Sequence, residues 1–106
     1  MAYLTNAFSL NMLLCFDAAI KTQEITAAAA AVMVKEENLT SAVGHADTAS
    51  VFSSVLGTPV PMSRVTVSLV PGDKILVGQY SGIRLPEGAT SLPPGSQIRW
   101  VVVTIE

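Results

Sequence analysis

The stretch from residue 46 to residue 61 constrains the fold most strongly, because a helical pattern there meets residues through which a helix does not continue. Apolar side chains recur at helical spacing over Ala46–Leu56, which predicts one helix with a buried face. Gly57 occupies the position at which helices commonly end, and Pro59 and Pro61 exclude a smooth continuation. The chain must therefore leave the helical conformation after residue 57.

Short segments typical of β-structure lie on both sides of this helix. Strands are predicted at Met1–Leu4, Ala18–Ile20, Leu39–Val43, Val65–Leu69, Lys74–Gln79 and Gln97–Ile105. The turn sequence Pro71–Asp73 joins two of them and predicts a hairpin between Val65–Leu69 and Lys74–Gln79.

Two more helices are predicted in the first third of the chain. Ser9 is a suitable N-cap for a short helix over Leu10–Leu14, and Thr22 for a helix over Gln23–Lys35 with an Ala-rich interior. No repeat or linker divides the sequence. We therefore expect a single α+β domain over residues 1–106, with a mixed or mostly antiparallel sheet and the helices packed on it.

The scarcity of charge restricts the partners of such a domain. Half of the residues are hydrophobic and 13% are charged, against about 25% in average proteins, so we expect part of the surface to meet another subunit. The net charge of −2 and the six scattered basic residues argue against binding long nucleic acid, whose affinity depends on many phosphate contacts. No apolar run approaches the roughly 18 residues of a membrane span, and no leader pattern opens the chain, so a soluble cytoplasmic protein is expected.

Cysteine and histidine are too rare for the common metal sites. Cys15 is the one cysteine and His45 the one histidine, which excludes an internal disulfide and a typical zinc site. The apolar neighbours Leu14 and Phe16 predict that Cys15 is buried. A phosphate-binding loop of the Gly-Lys type is also missing from the sequence. We expect neither a metal nor a cofactor.

The stretch LTNAFSLNML, residues 4–13, interrupts an apolar segment with uncharged polar side chains. Asn6, Ser9 and Asn11 compete for local backbone hydrogen bonds and are typical of turns and helix starts. The stretch therefore predicts a strand end leading into a helix N-terminus, a junction that can hold a ligand.

Two further stretches carry candidate chemistry. His45 in SAVGHADTA precedes a helix, where it is either a capping or core residue or a general acid or base. Arg84 and Glu87 in GIRLPEGA are either an exposed pair in a turn or a phosphate ligand and a partner for histidine. Arg64 is either a second phosphate contact or a solvated side chain at a strand start.

Taken together, LTNAFSLNML, SAVGHADTASVFSSVLG and RVTVSLVPGDKILVGQYSGIRLPEG resemble the small viral ring nucleases that act as anti-CRISPR proteins against type III systems. Related proteins of this family also occur in bacterial genomes and as CRISPR-associated accessory nucleases. The resemblance spans about Leu4 to Gly88. It implies a homodimer that binds cyclic tetra-adenylate across the subunit interface and cleaves it to linear di-adenylates, which silences type III CRISPR signalling.

The resemblance also implies roles for the candidate residues. The ribose 2′-hydroxyl attacks the adjacent phosphate without a metal, His45 protonates the leaving 5′-oxygen, Glu87 supports the protonated imidazole and Arg84 stabilises the phosphate. The ring-binding residues implied by the matching motifs are Asn6, Ser9, Asn11, Thr48, Arg64 and Gln79. Tyr80 and Trp100 are left open between stacking on adenine and structural packing.

Two other classes of function stay open from the sequence. A binding protein could sequester or sense a cyclic oligoadenylate in the same pocket without cleaving it, and a structural or host-interaction protein could use the apolar surface as its partner site. Nucleotide-dependent stabilisation separates the third class from the first two, and product formation separates the first from the second.

Overall fold

The computed structural model describes residues 2–106 and divides them into five strands and two α-helices. The strands are β1 (Ala2–Thr5), β2 (Ile20–Ile25), β3 (Thr40–Ser41), β4 (Lys74–Ser81) and β5 (Gln97–Ile105). The helices are α1 (Ala27–Glu36) and α2 (Ala46–Leu56), and a single 3₁₀ turn covers Leu10–Met12. This arrangement confirms the predicted α+β class.

The strands form one mixed sheet in the order β2-β5-β4-β1-β3. β1 is parallel to both β3 and β4, with Leu4 opposite Ser41 on one side and Leu76 on the other, whereas β5 is antiparallel to β4 and β2. The carboxyl ends of β1, β3 and β4 consequently meet at one edge of the sheet. Side chains that follow these three strands are brought close together there.

Both faces of the sheet are covered, because alternate residues of β4 enter two different apolar clusters. Leu76 packs with Phe52 and Trp100 beneath the helices, while Ile75 and Val77 face the opposite cluster. The rings of Phe52 and Trp100 meet edge to face with centroids 4.9 Å apart. Gly78 makes room for both rings, since a Cβ there would lie 2.5 Å from Phe52 and 2.6 Å from Trp100.

The predicted start of the first long helix is wrong. α1 begins at Ala27, where Thr26 Oγ1 accepts a hydrogen bond of 3.1 Å from the Ala29 N–H. Thr22 instead lies in β2, opposite Val103 of β5. The strand predicted at Ala18–Ile20 is thus shifted toward the C-terminus, because pairing with β5 outweighs the helix propensity of the residues that follow.

The predicted hairpin is also wrong. Val65–Leu69 forms no ladder with β4, which pairs instead with β1 and β5. Leu69 makes one bridge to Leu13, and its N–H donates to the Met12 carbonyl at 2.7 Å. The alternate apolar residues of this segment are buried, but in an irregular segment rather than in a hairpin. Val67 and Leu69 pack in the apolar cluster on the second face of the sheet.

Smaller differences concern the ends of elements. The helix predicted over Leu10–Leu14 is one 3₁₀ turn, although its N-cap is confirmed, since Ser9 Oγ accepts from the Asn11 N–H at 3.2 Å. Cys15 is exposed rather than buried, because residues 14–17 lie on the surface. The strand predicted at Leu39–Val43 is reduced to β3, and Met1 of the first predicted strand lies outside the described residues. No helix within residues 2–106 is long and apolar enough to cross a membrane.

Candidate active site

The carboxyl edge of the parallel strands opens into a cleft of about 450 Å³, the His45 cleft. Asn6 follows β1, Gln79 stands near the end of β4, and His45 lies between β3 and α2. The lining residues are Asn6, His45, Asp47, Thr48, Gln79, Tyr80, Arg84 and Leu85. Five of the predicted site residues are therefore brought together from three separate parts of the sequence.

His45 occupies the N-cap position of α2 without capping it. Its backbone is extended (φ −131°, ψ 130°) and its side chain makes no cap hydrogen bond. The residue is exposed, and among residues 2–106 its imidazole has no hydrogen-bond partner. Neither structural alternative for His45, a cap or a core residue, is what the structure shows. Both ring nitrogens are available to a ligand in the cleft.

Arg84 and Glu87 belong to a loop that is held at its start by Tyr80. The Tyr80 hydroxyl donates to the Ile83 carbonyl and lies 3.0 Å from Ser96 Oγ. Gly82 adopts a positive φ of 136°, and a Cβ there would lie 2.4 Å from the same Ser96 oxygen. The end of β4 is thus pressed against Ser96, which fixes where the loop leaves the sheet. The Tyr80 hydroxyl is engaged in holding this loop.

The other end of the loop is held by α2. The Ala89 N–H donates to the Pro86 carbonyl at 3.0 Å, closing a turn in which Gly88 has the positive φ (78°) that the third position of a type II turn requires. The Gly88 N–H donates to Asp47 Oδ1 at 3.1 Å, and the Ser54 hydroxyl donates to the Thr90 carbonyl. The helix that follows His45 therefore also anchors the loop that carries Arg84 and Glu87.

A second cleft of about 510 Å³ lies beside the first and shares part of its wall. Its lining residues are Asp47, Arg84, Leu85, Pro86 and Glu87. Arg84 thus reaches both clefts, whereas Glu87 lines the second. Among the described residues 2–106, Glu87 forms no hydrogen bond or ion pair with His45, and none with Arg84. The predicted contact between Glu87 and the imidazole is not made within residues 2–106 of the single chain.

Arg64 does not line the His45 cleft but lies in a neighbouring cleft that His45 also lines. Its Nε donates to the Gly44 carbonyl at 2.9 Å, which braces the turn immediately before His45. Both residues line a third cleft of about 460 Å³. One edge of the Arg64 guanidinium is used in this contact, and its terminal nitrogens have no partner among residues 2–106.

Comparison with known proteins gives this chain a family. Residues 2–93 match the family described as STIV B116-like. The chain belongs to the STIV B116-like family. The solved structure of B116 of Sulfolobus turreted icosahedral virus superposes with a TM-score of 0.82 at 28% identity, and the match covers 97% of each chain. This similarity extends over the sheet, both helices and the loop of Arg84 and Glu87.

A relative from another virus also matches this chain. Uncharacterized protein 26 of Sulfolobus islandicus filamentous virus (isolate Iceland/Hveragerdi) is 32% identical over 76 residues, which is 72% of this chain. The match spans 64% of the length of that protein. Both relatives are viral, and the predicted viral character of the family is confirmed to that extent.

Two predicted ligand contacts stand apart from this group. Ser9 and Asn11 are exposed at the 3₁₀ turn and line none of the three clefts around His45 and Arg84. Their participation in a ligand site stays a prediction.

Sequence reasoning missed Asp47 and Leu85 as lining residues of the His45 cleft and left the role of Tyr80 open. Asp47 was interpretable as an ordinary acid in the first turn of a helix, where it matches the helix dipole. Its contact with Gly88 joins positions 41 residues apart, and no local pattern reports such a pairing. Among residues 2–106, no group of three or more His, Cys, Asp or Glu side chains is arranged to hold a metal ion.

Proposed function

We propose that this protein is a metal-independent ring nuclease that binds cyclic tetra-adenylate as a homodimer and cleaves it to linear di-adenylates, switching off type III CRISPR signalling. The observation that supports this most is the joint position of His45 and Arg84 in one cleft with Asn6, Thr48 and Gln79. A proton donor, a cation and uncharged hydrogen-bonding groups are what RNA phosphodiester cleavage by an internal nucleophile needs.

The proposed reaction uses the ligand's own hydroxyl as the nucleophile. The ribose 2′-hydroxyl loses its proton to solvent as its oxygen attacks the adjacent phosphorus. The bond from phosphorus to the 5′-oxygen breaks, and the products end in a 2′,3′-cyclic phosphate and a free 5′-hydroxyl. His45 donates the proton that the leaving 5′-oxygen requires. Its imidazole can approach this oxygen because it is exposed and has no hydrogen-bond partner among residues 2–106. Arg84 stabilises the charge on the phosphorane oxygens.

The size of the ligand supports a dimeric site. Clefts for drug-sized ligands measure roughly 300–1,000 Å³, and a ring of four nucleotides is larger than such ligands. The His45 cleft of about 450 Å³ accommodates part of the ring, and a two-fold axis supplies a second copy of every contact. In the proposed dimer Arg64 adds a phosphate contact, and Ser9 and Asn11 reach the ring from outside the cleft of one protomer.

The role proposed for Glu87 requires a contact that one protomer does not make. Its carboxylate would approach the imidazole when the ligand and the second protomer are in place, and would then favour the protonated form of His45. Glu87→Gln, which keeps the shape but loses the charge, separates this role from simple packing.

The test of the proposed function is an incubation of the purified protein with cyclic tetra-adenylate in the presence of a chelator, followed by liquid chromatography and mass spectrometry. Linear di-adenylate with a 2′,3′-cyclic phosphate is the expected product. An intact ring after long incubation contradicts the proposed cleavage, and activity that depends on added metal contradicts the mechanism.

A second candidate is a non-catalytic protein that sequesters or senses the ring. The separation of Glu87 from His45 favours it, because the pocket groups are present while the proposed acid lacks its partner. Binding without product distinguishes it. A ligand at about 100 times its dissociation constant stabilises the folded state by roughly 2.7 kcal/mol, a shift that thermal unfolding detects.

A further inference from the structure

Asp47 connects the helix that presents His45 to the loop that carries Arg84 and Glu87. It lies in the first turn of α2, two residues after His45, and is half-buried. Its Oδ1 accepts a hydrogen bond of 3.1 Å from the N–H of Gly88, the residue directly after Glu87. It is also part of the wall of both clefts that meet at Arg84.

The loop has few other restraints over its functional part. Ile83 is held by Tyr80 at one end, and beyond the turn Thr90 is held by Ser54. Between these points the side chains of Arg84 and Glu87 make no hydrogen bond with any residue from 2 to 106. The position of both therefore depends on the backbone, and the contact from Gly88 to Asp47 ties this backbone to α2 directly beside Glu87, two residues before the contact of Ser54 with Thr90.

We propose that Asp47 is a positioning residue, whose carboxylate fixes Arg84 and Glu87 relative to His45 by accepting the Gly88 N–H. The consequence for turnover rests on the ring nuclease activity proposed above. The effect on the loop does not.

A different role for Asp47 is favourable interaction with the dipole of α2, and the two roles respond differently to substitution. Asp47→Asn removes the charge but keeps an oxygen that can accept from Gly88. Asp47→Ala removes both. A positioning role predicts that Asn is tolerated and Ala is not, whereas a dipole role predicts that both variants behave alike. Asp17→Ala is the matched control, since it removes an exposed carboxylate that has no side-chain partner within residues 2–106.

Two measurements are made on each variant, after thermal unfolding has shown that it is folded. Hydrogen exchange followed by mass spectrometry reports on a peptide covering residues 82–90. Single-turnover cleavage of cyclic tetra-adenylate gives the rate of the chemical step. Ring affinity is measured in the His45→Ala background, so that the ligand is not consumed.

For Asp47→Ala we expect exchange in the loop peptide to rise about 10-fold and cleavage to slow about 10- to 100-fold, with ring affinity changed less than about 3-fold. Asp47→Asn and Asp17→Ala are expected to remain within about 3-fold of the wild type in each measurement. Unchanged loop exchange and unchanged cleavage in Asp47→Ala overturn the proposal. Equal losses in the Ala and Asn variants also overturn it, in favour of a charge effect.

Failure of the proposed function has a separate signature. If the wild type itself releases no di-adenylate, the ring nuclease assignment fails. The predicted effect of Asp47 on cleavage then fails as well, whereas its predicted effect on the loop is still tested by hydrogen exchange. If the wild type is active and Asp47→Ala is equally active, the ring nuclease assignment stands and the positioning role fails.

Discussion

His45 stands at the start of a helix and yet makes no side-chain hydrogen bond to the first N–H groups of that helix. A histidine that capped α2 would hold its imidazole against the backbone, whereas this one is exposed in the cleft. The site also offers Arg84 and Arg64 on either side of it. At the scale of single residues, the side chain proposed as proton donor is thus distinct from the two cations proposed to bind phosphate.

His45→Ala should reduce cleavage of cyclic tetra-adenylate by about 10²- to 10⁴-fold, because general acid catalysis contributes factors of this size. Ring binding should be retained, since Asn6, Gln79 and Arg84 are untouched. Single-turnover kinetics and a binding titration measure the two effects separately. Normal cleavage by this variant would remove His45 from the mechanism.

At the scale of elements, local sequence signals predicted the helix α2 correctly, whereas the predicted pairing of strands was wrong. The bounds of α2, residues 46 and 56, were predictable because the signals that set them are local in sequence. These signals are the spacing of the apolar side chains and Gly57, which ends the helix with a φ of 66°. The predicted hairpin does not form, because β4 pairs with β1 and β5, and these pairings join residues that are distant in sequence. The site follows the same division: His45 and Arg84 were predictable from their motifs, whereas the contact between Asp47 and Gly88 was not.

The start of α1 gives a direct test of this division. Thr26→Val removes the oxygen that accepts from the Ala29 N–H and should destabilise the protein by about 1 kcal/mol, a usual value for loss of an N-cap. Thr22→Val is the control, since it removes the same hydroxyl from a strand and keeps the β-branched shape. Urea unfolding of both variants should show a lower midpoint for Thr26→Val alone. A larger loss in Thr22→Val would mean that the helix starts where the sequence first suggested.

The protein should lose stability in acid at two carboxyl groups of the sheet region. Hydrogen bonds from Arg99 and its positive charge lower the pKa of the Glu24 carboxyl on β2, and the Val70 N–H lowers the pKa of Asp73 before β4. Both groups thus stay ionised to lower pH in the folded than in the unfolded chain. Their contribution is complete above the usual carboxyl pKa range and is lost as the pH falls below about 4 through the folded values.

Urea unfolding at pH 6 and at pH 3 measures this loss. Glu24→Gln should make stability less dependent on pH in this window, whereas Glu36→Gln should not, because Glu36 is an exposed carboxylate without an ion pair among residues 2–106. The change should be small, since Glu24 and Arg99 are both exposed on the surface. An identical pH dependence in wild type and Glu24→Gln would exclude a role for this pair.

At the scale of the whole molecule, large apolar side chains remain on the surface. Leu14, Phe16 and Ile83 are 69%, 71% and 63% exposed, and Ile83 belongs to the loop beside the His45 cleft. Large apolar side chains left in solvent are available for contact with another molecule. They agree with the proposal that a second copy of the chain completes the ligand site.

Light scattering coupled to size-exclusion chromatography should therefore give twice the 11.1 kDa mass of one chain. Specific activity on cyclic tetra-adenylate should also fall on dilution, in step with dissociation of the dimer. A protein that is monomeric at assay concentration and fully active would show that one protomer suffices.

The packing of Trp100 against Phe52 has a spectroscopic consequence. Trp100 is the one tryptophan of the chain and is buried at the junction between α2 and the sheet. Its emission wavelength therefore reports whether α2 is docked, independently of any ligand. A red shift that precedes loss of the far-ultraviolet circular dichroism signal would show the helix undocking before the sheet unfolds. Because α2 carries Asp47 and directly follows His45, the same fluorescence would also report when His45 and Asp47 separate from the loop of Arg84 and Glu87.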